Sequence, residues 1–439
     1  MRLHLLANSH LDPVWLWDWQ EGLNEGIATC RTVLQLMEEF PELTYIRGES
    51  SVYAHIARHD PATMEKIAAH IVQGRWDVVG GTWCQPDTNL PATEVLCRQF
   101  SEGISFFRRE LNVRPTTAWL ADSFGHSRGW PEILAAAGMQ GFAFSRPSDA
   151  DLPLAGPAFW WRSASGAKIL CWRVPIGWYG SDRGDMPRRL DAYVEAAGHW
   201  GLENVAVFFG LGNHGGGPTR ADLRDIARWR AANPGVQVEF STLHRFFAEL
   251  RGEADLLPVF DGELNFTMRG CYSTAARFKF AYRRAENALL AAERTTSLLS
   301  AAFGNPVPAL GEAWAALLLN TFHDVLPGTA IERALDEQQS MLGVVAHQAQ
   351  CARLDALNAL AARLDTRVPA PAEDMPSAVP VLLWNPHPGP FAGCVEIEAA
   401  LDYRPIRAYR GRSDALPVTV RDHRGEPLDF QLTAVENHF

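Results

Sequence analysis

At 439 residues, 47% apolar and 21% charged, the chain is long enough for two or three globular domains. A net charge of −11 argues against nucleic acid or an anionic membrane as the main partner, because such contacts need basic patches. No run reaches the roughly 18 apolar residues of a membrane span, and the N-terminus lacks the marks of a signal peptide, so a cytoplasmic protein is expected.

Taken in chain order, short apolar runs at 3–7, 44–46, 76–79, 116–120, 141–144, 168–172 and 205–209 alternate with helical stretches. This pattern predicts a seven-stranded parallel β/α domain over 1–262. Each run ends in polar or glycine-rich sequence, and in such sheets ligands sit beyond the carboxyl ends of the strands. Residues 263–368 change to long alanine- and leucine-rich helices, read as a three-helix bundle. A proline-rich linker is expected over 369–380. After it, 381–439 alternates as strands do and reads as the beginning of a β-sandwich domain, truncated within a longer protein. The seven cysteines are scattered without CxxC spacing, as reduced core thiols are.

The chemistry gathers at element ends. The first strand ends in Asn8-Ser9-His10-Leu11-Asp12-Pro13, where His10 and Asp12, two apart in extended chain, point to one side. The run at 116–120 leads into Asp122. A helical segment delivers His323 and Asp324 before the break at Pro327 and Gly328. Two imidazoles and two carboxylates suit zinc. Singly, each piece also reads as an ordinary turn or cap, and spacing leaves open which metal binds and which reaction follows.

The ordered set "NSHLDPVWLW", "GGTWCQPDTNLPATEVLCRQF", "WLADSFGHS", "FSRPSD", "GNHGGGPT", "GELNFTMRGCYSTAARFKFAYRRAE" and "NTFHDVLPGT" resembles glycoside hydrolase family 38, the class II α-mannosidases, over residues 1 to about 400. The resemblance implies a zinc-dependent retaining α-mannosidase acting on mannosides. One zinc ion per chain would be held by His10, Asp12, Asp122 and His323, with Asp122 also the nucleophile. It implies Trp15 under the sugar ring, Arg146 against the nucleophile and Asp324 on substrate hydroxyls, with Trp83, Asp87, Arg269 and Tyr272 around them. His126 is expected to support the turn after Asp122.

In one respect the sequence departs from that pattern. Related members carry an aspartate acid/base in the glycine-rich loop, where this chain has Asn213, which cannot exchange a proton at neutral pH. His214 is the first replacement, with Asp182 and Asp185 behind it. Two other readings stand beside the mannosidase: a zinc-dependent carbohydrate deacetylase or other metal hydrolase on a related barrel, and a non-catalytic mannose-binding protein. Whether the chain forms homo-oligomers is left open.

Overall fold

In the computed structural model, which describes residues 1–265, 267–368, 378–399, 411–412 and 418–434, each of the seven apolar runs coincides with a strand to within a residue. The first half runs β1 (Arg2–Ala7), α1 (Trp19–Glu39), β2 (Tyr45–Arg47), α2 (Ser50–His59), α3 (Pro61–Val72), β3 (Trp76–Val78), α4 (Thr93–Leu111), β4 (Thr117–Leu120), α5 (Trp130–Ala136) and β5 (Gly141–Phe144). It continues through β6 (Ala158–Arg162), β7 (Lys168–Arg173), α6 (Met186–Trp200), β8 (Asn204–Phe209), α7 (Arg220–Ala232), β9 (Gln237–Phe240), α8 (Leu243–Leu250) and β10 (Val259–Phe260).

The sheet differs from a single seven-stranded one. Parallel β8-β1-β9 form one sheet, β2 and β3 pair in parallel, and β10-β6-β7-β5-β4 form a third. In that third sheet β6 and β7 are antiparallel, joined by a turn in which Gly166 takes φ 93°. Three strands, β6, β9 and β10, are added to the seven expected, and the seven themselves are divided among the three sheets. Glycine turns bring the pieces together: Gly80 beyond β3, at φ 80°, donates its N–H to Thr117 at the start of β4.

Burial explains why β1 leads. Leu3, Leu5, Leu6 and Ala7 are fully buried in the main apolar core, where β1 lies beside β8, β9 and β2, so the polar residues that follow are carried to the sheet edge. A second apolar cluster is built from helices α9 (Ala276–Phe303), α10 (Gly311–Leu319) and α11 (Glu332–Ala361). Phe278, Tyr282, Trp314, Leu317 and Leu342 pack there with Val14 and Cys84, which lie in the loops after β1 and β3. That packing brings the segment after α10, with His323, to the tip of β1.

The chain divides into two compact units, Met1–Glu293 with Pro308–Cys351, and Arg294–Val307 with Ala352–Phe439. In the second, the expected linker 369–380 lies mostly outside the described residues. The strands expected over 381–398 do not appear among the described residues. The β-sandwich start reduces there to one antiparallel pair, β11 (Val420–Arg421) and β12 (Pro427–Leu428). An alternating sequence becomes a strand only where a partner completes its ladder of hydrogen bonds, and one short pair is the least that can. Among the described residues no helix is long and apolar enough to cross a membrane.

Candidate active site

The chain beyond β1 is fastened before it presents its side chains. Asn8 donates through its side-chain amide to the carbonyls of Tyr179 and Phe209, and Asp12 N–H donates to the Asn213 carbonyl at 2.8 Å. Leu11 pairs with His214 in an isolated antiparallel bridge and turns toward Gly26 of α1. Alternation then sends its neighbours His10 and Asp12 to the opposite side.

There the structure brings together the residues expected to act. The nearest donor atoms of His10, Asp122 and His323 lie within 4.8 Å of one another, as do those of Asp12, His323 and Asp324. Oδ1 of Asp12 is 2.7 Å from His10 Nε2 and 3.5 Å from His323 Nε2. All but Asp122 are buried; Asp122 is partly open to solvent. Arg146 donates through Nε to Asp122 Oδ1.

His10 Nδ1 is buried without a partner, and His10 Nε2, His323 Nε2 and Asp12 Oδ1 are buried facing only one another, at ion-pair distances without hydrogen-bond geometry. Orphaned polar atoms are rare in native interiors, and a cluster of them aimed inward fits a cation. Electrostatics agree. Burial pushes the Asp12 carboxyl up, yet the His10 and His323 imidazoles outweigh it and hold it at about 2. Burial pushes His323 down, while Asp12, Asp324 and Asp122 outweigh it and raise it to about 9. Burial, aided by Asp12 and Asp122, lifts Asp324 to about 6 against the pull of His323. Three carboxylates so close together favour a positive charge among them. The nitrogen and oxygen donors at these separations suit a four-coordinate zinc ion, whose ligands lie about 2.0–2.2 Å from the metal.

Trp15 is half-buried, edge-on to Trp17 at 5.7 Å, and its carbonyl accepts from Ile331. Asp87 is fully buried, caps the N–H groups of Asn89 and Leu90, and accepts from the Tyr272 hydroxyl at 3.1 Å. Trp83 is part of the helix packing, edge-on to Phe106. Arg269 is exposed, at the start of a short 3-10 turn. His126 holds its turn as expected, bridging to Leu264 and meeting Thr88 through Nδ1.

His214 stands apart from the donor cluster. Its ring stacks on Trp17 at 3.9 Å and its Nε2 lies 3.1 Å from Glu21, on the side to which Leu11 turns. Asp185 is engaged by Arg188 and Arg189, and Asp182 is exposed.

The structure adds Tyr179, which the sequence reading passed over. Its ring lies edge-on to His10 at 4.7 Å, and its hydroxyl is buried without a partner. Burial, then Asp122 and Asp12, push that hydroxyl well above its usual range. The sequence sign was a tyrosine in the glycine-rich loop after β7, opposite a second such loop. A side chain at Gly212 would come within 2.7 Å of the Tyr179 ring.

Residues 1–263 match the profile of the glycosyl hydrolases family 38 N-terminal domain. The chain belongs to glycosyl hydrolase family 38. Residues 267–360 match the alpha mannosidase middle domain. Alpha-mannosidase 2C1 of Homo sapiens is 30% identical over 341 residues, covering 76% of this chain and 33% of that protein. Alpha-mannosidase of Saccharomyces cerevisiae is 29% identical over 346 residues, covering 74% of this chain and 32% of that protein. The chain thus spans about a third of the length of these relatives. The crystal structure of an alpha-mannosidase from Enterococcus faecalis V583 shares the fold, with a TM-score of 0.69 at 18% identity, over 83% of this chain and 43% of that one.

Proposed function

We propose that this chain carries the catalytic centre of a zinc-dependent retaining α-mannosidase, with residues 1–262 as its catalytic domain and 263–368 as a helical domain. The observation that supports this most is the orphaned set of His10, Asp12 and His323 donors facing Asp122, in a family whose compared relatives are named α-mannosidases.

In this reading His10, Asp12, Asp122 and His323 would hold one zinc ion, which would supply Lewis-acid polarisation of sugar hydroxyls beside Asp122. The Asp122 carboxylate, oriented by Arg146, attacks the anomeric carbon and forms a glycosyl ester. The leaving oxygen takes the bonding pair and a proton, and water later releases mannose. Trp15 supports the sugar ring and Asp324 accepts from its hydroxyls, with Asp87 and Tyr272 bordering the pocket and Trp83 behind it.

His214 takes the acid/base role, as the titratable side chain of the glycine-rich loop. To reach a leaving group above Asp122 its ring must leave Trp17. His214→Ala should therefore spare zinc binding and slow cleavage of a poor leaving group about a hundredfold; a nearly normal rate removes His214 from the role. The substrate is a mannoside or mannose-containing oligosaccharide. The seven unbridged cysteines support a reducing, cytoplasmic setting.

A fluorinated mannosyl inhibitor tests the covalent step. A mannosyl adduct on the Asp122 peptide, absent in Asp122→Asn, is the expected result. Asn213 and the Trp17-stacked His214 favour one second reading, a mannose-binding protein without turnover. It would give mannose binding with no adduct. A deacetylase or other water-activating hydrolase would also leave Asp122 unlabelled.

A further inference from the structure

Three buried polar side chains outside the donor set form a single chain of contacts beneath it. Arg47, at the end of β2, donates through a guanidinium nitrogen to the carbonyl of Ser9, the residue before His10. Its other terminal nitrogen lies 3.3 Å from a carboxylate oxygen of Glu49. The opposite oxygen of Glu49 accepts from the Gln85 side-chain amide. Gln85 Oε1 accepts from the N–H of Ala121, the residue before Asp122, at 2.7 Å. The backbone carbonyl of Gln85 accepts from His323 Nδ1 at 3.0 Å and from the His323 N–H at 3.2 Å.

Arg47 and Glu49 meet as an ion pair, and each of the hydrogen bonds has a defined direction. A carbonyl only accepts, so Nδ1 of His323 carries a proton and Nε2 is left to face Asp12. An N–H only donates, so the amide oxygen of Gln85 faces Ala121 and its nitrogen must face Glu49. Arg47, Glu49 and Gln85 are 3%, 5% and 1% exposed, too dry for water to substitute. Glu49 also sits at φ 56°, a left-handed conformation that strains a non-glycine residue and persists only where its surroundings fix it. The neighbouring residues extend the hub: Ser123 donates to the Pro86 carbonyl, and Asp87 N–H to Thr321.

We propose that Arg47, Glu49 and Gln85 form a positioning relay that sets His10, Asp122 and His323 in register for one cation. This rests on the metal reading above. None of the three touches the cation. They act through Ser9, Ala121 and the His323 ring, so their loss should weaken metal binding by misplacing ligands that are still present.

The direction of the relay supplies the test. In Gln85→Glu the side chain still accepts from Ala121, but its donor to Glu49 is gone and two buried carboxylates face each other. Adding Glu49→Gln restores the order: the amide introduced at 49 accepts from Arg47 and donates to the carboxylate introduced at 85. Zinc affinity of the full chain, by chelator competition, should fall about tenfold or more in Gln85→Glu. In the double variant it should return to within about threefold of wild type.

Thermal unfolding of the zinc-free proteins controls for folding. If Gln85→Glu does not fold, Glu49→Gln alone, which unpairs Arg47, should show the same loss of affinity. Unchanged affinity in a folded single variant, even with a lower melting temperature, would make the network merely structural and overturn the relay. So would a folded double variant as weak as the single one. A wild-type chain that binds no zinc would instead overturn the metal reading, and the relay's purpose with it.

Discussion

Asp122 is held from in front by Arg146 and from behind through Ala121 and Gln85, so its carboxylate has little freedom even while open to solvent. The residues legible in the sequence were those at recognisable strand and helix ends, His10, Asp12, Asp122, His323 and Asp324; Arg146 was implied only by the family resemblance. Tyr179 and Gln85 were not, because a tyrosine or glutamine in a loop has no periodic signature and its role depends on what lies across the fold. The contribution of Tyr179 can be separated from stability. Its hydroxyl is buried and unpaired, and removing such a group is neutral or stabilising. Tyr179→Phe should therefore keep or raise the melting temperature while lowering kcat for a mannoside about tenfold. A clear fall in melting temperature would mean the hydroxyl has a structural partner.

Among elements, the sequence revealed the seven strands that end at the site but not how they pair. β6, β9 and β10 are four or five residues long or shorter and lie beside turns, where periodicity cannot separate a strand from a loop. Two contrasts test the packing. Helix α4 crosses the turn after β3 so closely that a side chain on Gly103 would meet the Gly81 carbonyl at 2.4 Å. Gly198, in α6, has nothing within 4 Å of such a side chain. Gly103→Ala should cost about 1–3 kcal/mol in denaturant unfolding. Gly198→Ala should gain about 0.5–1 kcal/mol. The glycine-rich loop that reaches Asp12 is anchored by the capping box of Thr219 and Asp222 at the start of α7. Thr219→Ala should cost about 1 kcal/mol by the same measurement. Equal effects at all three positions would contradict this account of the packing.

For the whole molecule, two buried histidines work against folding in acid. Burial alone pushes His126 down to about 3, and burial also lowers His4 against the pull of Glu249 and Glu239. Unfolded, each takes up a proton near pH 6.5. As pH falls below that value the unfolded chain binds protons that the native state refuses, and stability drops. Between pH 7 and 5 the melting temperature of the wild type should fall relative to that of His126→Leu; an unchanged difference would mean that His126 is protonated in the fold. The long-range organisation around β1 was legible because its apolar run and polar tip are contiguous. The meeting of β1 with His323, more than 300 residues later, depends on the helix packing around Val14 and Cys84, which no local pattern encodes. That meeting is the central claim, and elemental analysis of the purified chain tests it most directly. About one zinc per chain is expected in the wild type, and little in either His10→Ala or His323→Ala. A folded wild-type chain that takes up no zinc when it is supplied, or one that keeps it in both variants, would contradict the account.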